Sequence, residues 1–397
     1  MQYKYLFFIL FTTLLLSSCI IPYDPNGIKE TAGILAVEGI ILETGTTIKL
    51  SRTVSIYNTS EEESQTGMED LLNARVHVID DMNNIVAVAE QELIDGKINP
   101  GVYVTNTNFT FTPGKKYALT IQVGGKQYQS SFVSPINTPE IDEINWRFKA
   151  DKSMDIMVST HDPENKIDYF CWTFEEDWEI ISSLFGTHRY EPTTKEVIEQ
   201  SLFTAENRYY CWASDKSKSI LVGSSDKLTE STIKNKVIHN FPPNNSRFSF
   251  LYSILVKQYA FDKEAYTYFE TIRKNTEQSG SIFAPMFSVL KGNITCLSNP
   301  DEPVIGYIFA SKEVASRIFI DMERIEGEDR YDCIRNENGE YLANKTYSRA
   351  ELVNLVGHLG IHYADGDRYH CSNIRCVDCT YRGGTKNKPD FWPNDHL

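Results

Sequence analysis

The chain has 397 residues, 39 basic and 54 acidic side chains and a net charge of −15. An acidic chain is repelled by phosphate backbones, so a nucleic-acid role is excluded, and the charge favours solubility and basic partner surfaces instead. Aromatics make up 12% of the residues, a bias toward strands in a chain long enough for two domains.

The first residues, MQYKYLFFILFTTLLLSSC, carry one lysine, then an apolar run from Tyr5 to Leu16, two small residues and Cys19. That run is short of the roughly 20 residues of a membrane span and reads as a secretory signal over 1–18. Leu16-Ser17-Ser18-Cys19 resembles a bacterial lipobox, so Cys19 is the expected lipidation site and the first mature residue. Acyl chains there would hold the protein to a membrane. No later stretch approaches span length. Residues 19–32, with two prolines and no hydrophobic period, are expected to be a linker.

From 33 to 135, short β-branched segments alternate with turn signals at Asp81-Met82-Asn83-Asn84, Pro113-Gly114 and Gly124-Gly125. This spacing predicts an immunoglobulin-like antiparallel β-sandwich, ending in a hairpin around the two glycines. SEEESQTG, 60–67, reads as a solvated acidic loop. Two prolines between Ser134 and Pro139 place a boundary there, and 136–397 is expected to form a larger β-rich domain with at least two helices. Asp262 is a good N-cap for a helix that puts Ala265, Tyr268, Phe269 and Ile272 on one face. Ser348-Arg349-Ala350-Glu351 is a capping box before Leu352, Leu355, Val356 and Leu359. The fold class is therefore mainly β.

Seven cysteines follow Cys19, three of them in CSNIRCVDC from Cys371 to Cys379. Cys376 and Cys379, with His370, Cys371, His358 and His362, have spacings that suit zinc, and Cys-x-x-Cys also occurs at redox sites. An exported chain meets an oxidising environment, which favours structural disulfides. Cys333, Cys371, Cys376, Cys379 and Cys211 are the candidates, and an odd number of thiols leaves at least one free. Beyond them, Gly383-Gly384 permits a tight turn, and Phe391 and Trp392 are expected to pack onto the second domain as a plug.

No His-Glu-x-x-His, Gly-x-Ser-x-Gly or P-loop is present in the sequence. Glu175-Glu176-Asp177 could serve a glycosidase, but only Glu175 and Asp177 share a strand face, and a solvated strand edge is the expected role. Trp172, Trp178, Tyr209, Tyr210 and Trp212 cluster in two segments. Their flat apolar faces suit a small molecule, a glycan, a peptide or a partner surface, and equally a core; one or two are expected at a surface. No cofactor is expected.

The ordered segments from Ser253 to Ser311, RIFI at Arg317–Ile320 and CVDCTYRGGTKNKPDFWP resemble the domain of unknown function 4249 family of bacterial lipoproteins. The resemblance implies a Bacteroidota-type outer-membrane lipoprotein, expected at the cell surface, working with a TonB-dependent receptor, and it supplies no catalytic residues. The expectation is a non-enzymatic accessory in nutrient capture. A structural or adhesive surface protein, and a surface hydrolase using Glu175 and Asp177, are the alternatives.

Overall fold

The computed structural model describes residues 33–54, 68–94, 96–105, 108–191, 193–201, 208–243, 245–278, 291–321, 345–352 and 359–393. The signal segment, Cys19, the linker, the acidic 60–67 loop, Cys333 and His358 lie outside them. Strands dominate, as the composition implies.

The first sheet begins with β1 (Leu35–Ile41), β2 (Thr47–Thr53), β3 (Met68–Asp70), β4 (Arg75–Asp80), β5 (Ile85–Ile94), β6 (Lys97–Thr105), β7 (Tyr117–Val123) and β8 (Lys126–Ser130). Alternation decides the buried face: in β2, Ile48 and Leu50 are buried while Thr47 and Lys49 are exposed. β7 and β8 are joined by Gly124 and Gly125 at φ 57° and 75°, positive angles that a two-residue type I′ hairpin requires. Tyr103 is fully buried, and its hydroxyl donates to the Leu71 carbonyl and accepts from the Ala74 amide, each at 2.9 Å.

The second unit opens with β9 (Ile141–Phe148), β10 (Met154–His161), β11 (Tyr169–Ile181), β12 (His188–Glu191) and β13 (Glu196–Glu199). There follow β14 (Tyr210–Lys216), β15 (Leu221–Ser224), β16 (Thr232–Phe241) and β17 (Leu251–Ala260). Helix α1 (Lys263–Gln278) comes next, capped where the Asp262 carboxylate accepts from the Ala265 amide at 2.8 Å. Ala265 and Tyr268 are buried on its expected inner face.

The chain then returns to the first sheet through β18 (Ile294–Cys296), β19 (Val304–Ile305) and β20 (Phe309–Ala310). β18 pairs with β8, and β19 and β20 run parallel to β1, so the path β18-β8-β7-β4-β5-β6-β2-β1-β19 is nearly closed. The unit expected to end near residue 135 is thus completed from residues 294–310, which cover the edges that β1 and β8 would otherwise leave open. Ile136 is tied to the same return, its amide bonded to the Ala310 carbonyl at 3.1 Å.

β21 (Val314–Asp321) joins β14-β11-β17-β21, with β15 also on β11. This sheet faces β16-β10-β9 across a core of Met154, Ile156, Val158, Phe170, Trp172, Phe174, Ile254 and Val256. The last sheet contains β22 (Lys345–Ser348), β23 (Leu359–Asp365) and β24 (Arg368–Asn373), joined to β12 and β13. The capping box forms: Glu351 Oε2 accepts from the Ser348 amide and hydroxyl, each at 2.7 Å, at the start of α2 (Arg349–Leu352). Leu355 and Val356 lie outside the described residues, and Leu359, expected on the helix, instead begins β23. Pairing with β24 holds this stretch extended, and Gly360 within it packs so closely against Val377 that a Cβ would come 2.6 Å from the Val377 Cβ. A short helix α3 (Ile374–Val377) and a 3₁₀ turn over Cys379–Arg382 lead to the C-terminal strap.

Candidate functional site

β11 runs through the middle of its sheet, and its residues divide between two environments. Phe170, Trp172 and Phe174 point into the sandwich core, and the next residue on that face is Glu176. A carboxylate there must be paired, because burying it alone carries a severe desolvation cost. It is only 2% exposed. Arg247 donates to Glu176 Oε1, and the Tyr252 hydroxyl donates to Oε2 at 2.7 Å. Arg247 also reaches Asp215 at 3.0 Å and lies 4.3 Å from the centroid of the Trp178 ring. His239 Nε2 is 3.8 Å from Glu176 Oε2, its ring against Phe241 and Phe174. Burial lowers the His239 pKa from its ordinary 6.5, with Glu176 opposing. Burial and Glu176 raise the Tyr252 pKa, keeping its hydroxyl a donor.

The opposite face carries Glu175, Asp177 and Glu179. Glu175 pairs with Lys257 at 2.9 Å and Lys216 at 3.7 Å. Burial pushes its pKa up, but these lysines prevail and hold the carboxyl below its usual range. Asp177 accepts from the Ser214 hydroxyl at 2.5 Å and from Arg317 at 3.0 Å. Glu179 Oε1 accepts from the Trp392 indole at 2.7 Å. The expected solvated edge is therefore corrected: β11 is central, Glu176 and Asp177 are buried, and long-range cations neutralise the run.

The C-terminal strap crosses this second face. Cys211 is disulfide-bonded to Cys379 over 168 residues of sequence, with Cα atoms 5.8 Å apart. Gly383 takes φ 88°, and Gly384 lies against the disulfide, where a Cβ would come 2.5 Å from the Cys211 Cβ. Trp212 and Thr385 exchange backbone hydrogen bonds, and Lys386 donates to the Tyr210 carbonyl at 2.8 Å. Trp392 ends the strap, buried against Trp212 and Leu251. Phe391 stays partly exposed, with the Arg317 guanidinium 3.5 Å from its ring centroid.

Cys376 and Cys379 do not bond each other. Cys376 is disulfide-bonded as well, and its partner falls outside the described residues. Cys371, a disulfide candidate from the sequence, is instead a free buried thiol on β24, as are Cys296 on β18 and the partly buried Cys171 on β11. The Cys371 side chain points at the Tyr369 carbonyl, 3.7 Å away, and burial pushes its thiol up to about 11. Among the described residues no three histidine, cysteine or acidic side chains converge on a metal position.

The five aromatic candidates separate. Trp172 is fully buried, its indole donating to Gln258 at 2.8 Å, and Trp212 is buried beneath Trp392, so neither offers a surface. Core packing has absorbed both. Tyr209 and Tyr210 are half-buried and in edge contact with each other at 4.8 Å. Trp178 lines a cleft of about 300 Å³, together with Glu179, Ile181, Asn245, Ser246, Arg247 and Arg382. This volume lies at the lower end for small-ligand sites. Arg247 is neutralised by its two carboxylates. Arg382 donates to the Ile181 carbonyl at 3.2 Å and makes no ion pair among the described residues. The cleft therefore presents the Trp178 indole, small polar groups, the Arg382 guanidinium, which makes no ion pair among the described residues, and Glu179, whose Oε1 is taken by the Trp392 indole. Sequence reading named Trp178 but not Arg247, His239, Tyr252 and Arg382, which reach β11 from distant segments without a local motif.

No curated protein matches the chain. The sequence model of a domain of unknown function, DUF4249, matches residues 20–317, ending inside β21 and short of the cysteine-containing strap. That match covers most of the chain, including every strand of the first sheet and β11, and the protein belongs to the domain of unknown function 4249 family.

Proposed function

We propose that this protein is a lipid-anchored, non-enzymatic accessory of a TonB-dependent outer-membrane receptor, and that it captures a small ligand in the Trp178–Arg382 cleft. The observation that carries the binding reading is Arg382: a guanidinium at a cleft with no carboxylate partner among the described residues attracts an anionic group, and Trp178 beside it offers apolar surface. A carboxylate-bearing nutrient or peptide end fits that pair. The lipobox-like sequence at Cys19 supports the anchoring, and the receptor partner is what the resemblance of the sequence to lipoproteins implies.

The hydrolase alternative requires one carboxyl with a raised pKa as general acid. Glu175 is shifted the other way by its lysines, and Asp177 is bound to Arg317 and Ser214. Both carboxylates serve the ion-pair ladder of β11, which favours binding over proton transfer. Affinity purification of the full chain from detergent extracts tests the proposal. A TonB-dependent receptor should accompany the wild type and the Arg382→Glu variant alike, with ligand retained by the wild type only. Purification without any transporter would leave an adhesive or structural role.

A further inference from the structure

The strands of the first sheet define two ends. At one, β1 begins at Leu35 and β2 finishes at Thr53, where the Gly33 amide bonds to the Thr53 carbonyl at 2.6 Å. Register carries this end around the sheet: β6 begins there, β5 finishes there, and the Gly124-Gly125 turn lies there beside Arg52. At the other end Leu42 and Ser311 meet the second unit, through a cluster containing Tyr259 and Phe261 and through the Thr138 hydroxyl, which is hydrogen-bonded to the Ser311 hydroxyl and accepts from the Ala260 amide. The cleft therefore belongs to the unit attached at the end remote from Gly33.

The Gly33 end has an unusual surface. The β5–β6 hairpin places Leu93 directly opposite Ile98, and Ile94 opposite Lys97. Leu93 is 63% exposed, Ile94 55% and Ile98 51%, so three large aliphatic side chains stand in solvent at the tip of one hairpin. Leu72, just before β4, and Leu297, bonded through its amide to the Gln127 carbonyl beside the same turn, are also exposed at this end. Polar residues are the ordinary choice at a hairpin tip, and large exposed aliphatic side chains on both faces of this one imply a partner surface that receives the whole tip.

We infer that this end of the sheet docks on the lipid surface, with Leu93, Ile94 and Ile98 reaching the boundary between headgroups and acyl chains. The inference rests on lipid anchoring at Cys19. Gly33 follows Cys19 by 14 residues, and a chain of that length spans at most about 50 Å, so the anchor keeps this end, where the described chain begins, within that distance of the bilayer. Lys97, paired with Ile94 at the tip, has the length to extend its ammonium toward headgroups while its stem stays among the aliphatic side chains. Docking here points the second unit, and the cleft with it, away from the membrane.

Tryptophan fluorescence in vesicles tests this directly. The full acylated protein would be reconstituted in phosphatidylcholine vesicles with and without brominated acyl chains, as wild type, Leu93→Trp, Ile98→Trp and Ile85→Trp. Ile85 begins β5 at the opposite end and is also exposed. The emission added by tryptophan at 93 or 98 should fall at least about two-fold in brominated vesicles, because bromine quenches only at acyl-chain depth, whereas that at 85 should not change. Equal emission at 93 and 98 in both vesicles, with the protein acylated and vesicle-bound, overturns the docking while leaving the anchor intact; a protein partner would then be the occupant. Mass spectrometry showing no acyl group on Cys19 overturns the anchor and the docking together.

Discussion

The Trp392 indole donates to Glu179 across 213 residues of sequence, at 2.7 Å and out of contact with solvent. This bond joins the end of the strap to the strand that carries the charged ladder. It also gives a buried carboxylate a neutral partner. Trp392→Phe keeps most of the apolar contact with Trp212 and Leu251 but removes that donor, and should destabilise the fold by about 1–3 kcal/mol. Trp392→Ala removes the packing too and should cost about 3–5 kcal/mol. Denaturant titration of the two variants separates the contributions.

Gly384 is the tightest point of the strap. A methyl group there would meet Cys211 at 2.5 Å, where the disulfide fixes both sides. Gly384→Ala should therefore force the strap off β14, at a cost of about 1–3 kcal/mol. Cys211 should then be reduced faster by dithiothreitol than in the wild type, which thiol labelling over time measures.

The cysteine assignment predicts a labelling pattern. Denatured without reductant, the chain should be alkylated at Cys171, Cys296 and Cys371, and only after reduction at Cys211, Cys376 and Cys379. Peptide mapping checks it. Labelling of Cys379 before reduction would remove the clamp.

His239 gives the fold a pH dependence of definite sign. Its folded pKa lies below the ordinary 6.5, because burial against Phe241 and Phe174 disfavours the cation more than Glu176 favours it. The unfolded chain then binds the proton more readily. The contribution is fully present above about pH 6.5 and is lost as the pH falls through the folded pKa. His239→Gln should flatten the stability profile just below pH 6.5, in denaturation curves collected across that range. Glu175, also depressed, acts in the same direction lower down, below the ordinary carboxylate pKa of 4.5.

Local signals in the sequence were faithful guides to local structure. Asp262 caps its helix, the Ser348–Glu351 box closes, and the diglycine hairpin turns where expected. Each depends on neighbours within a few residues. The return of residues 294–310 to the first sheet depends instead on an unpaired edge of β1, which no neighbouring residue announces. The same holds for β11. Glu175, Glu176 and Asp177 read as solvated because acids usually are, and the cations that pair with them come from Arg247, Lys257 and Arg317, 71 to 140 residues away. Trp172 and Trp178 look alike in the sequence, yet sheet pairing sends one into the core and leaves the other at the cleft mouth.

We propose that the cleft binds a ligand and that the β11 carboxylates do not catalyse, and growth separates the two roles. Cells lacking this protein, complemented with single variants, would be grown on the nutrient of whichever receptor the proposed affinity purification recovers, as sole source. Glu175→Gln should grow as the wild type, because that carboxylate serves only its lysines, while Arg382→Glu should grow poorly, since reversing the charge repels an anionic ligand. Normal growth of Arg382→Glu beside failure of a folded, receptor-bound Glu175→Gln would contradict the account and identify an enzyme.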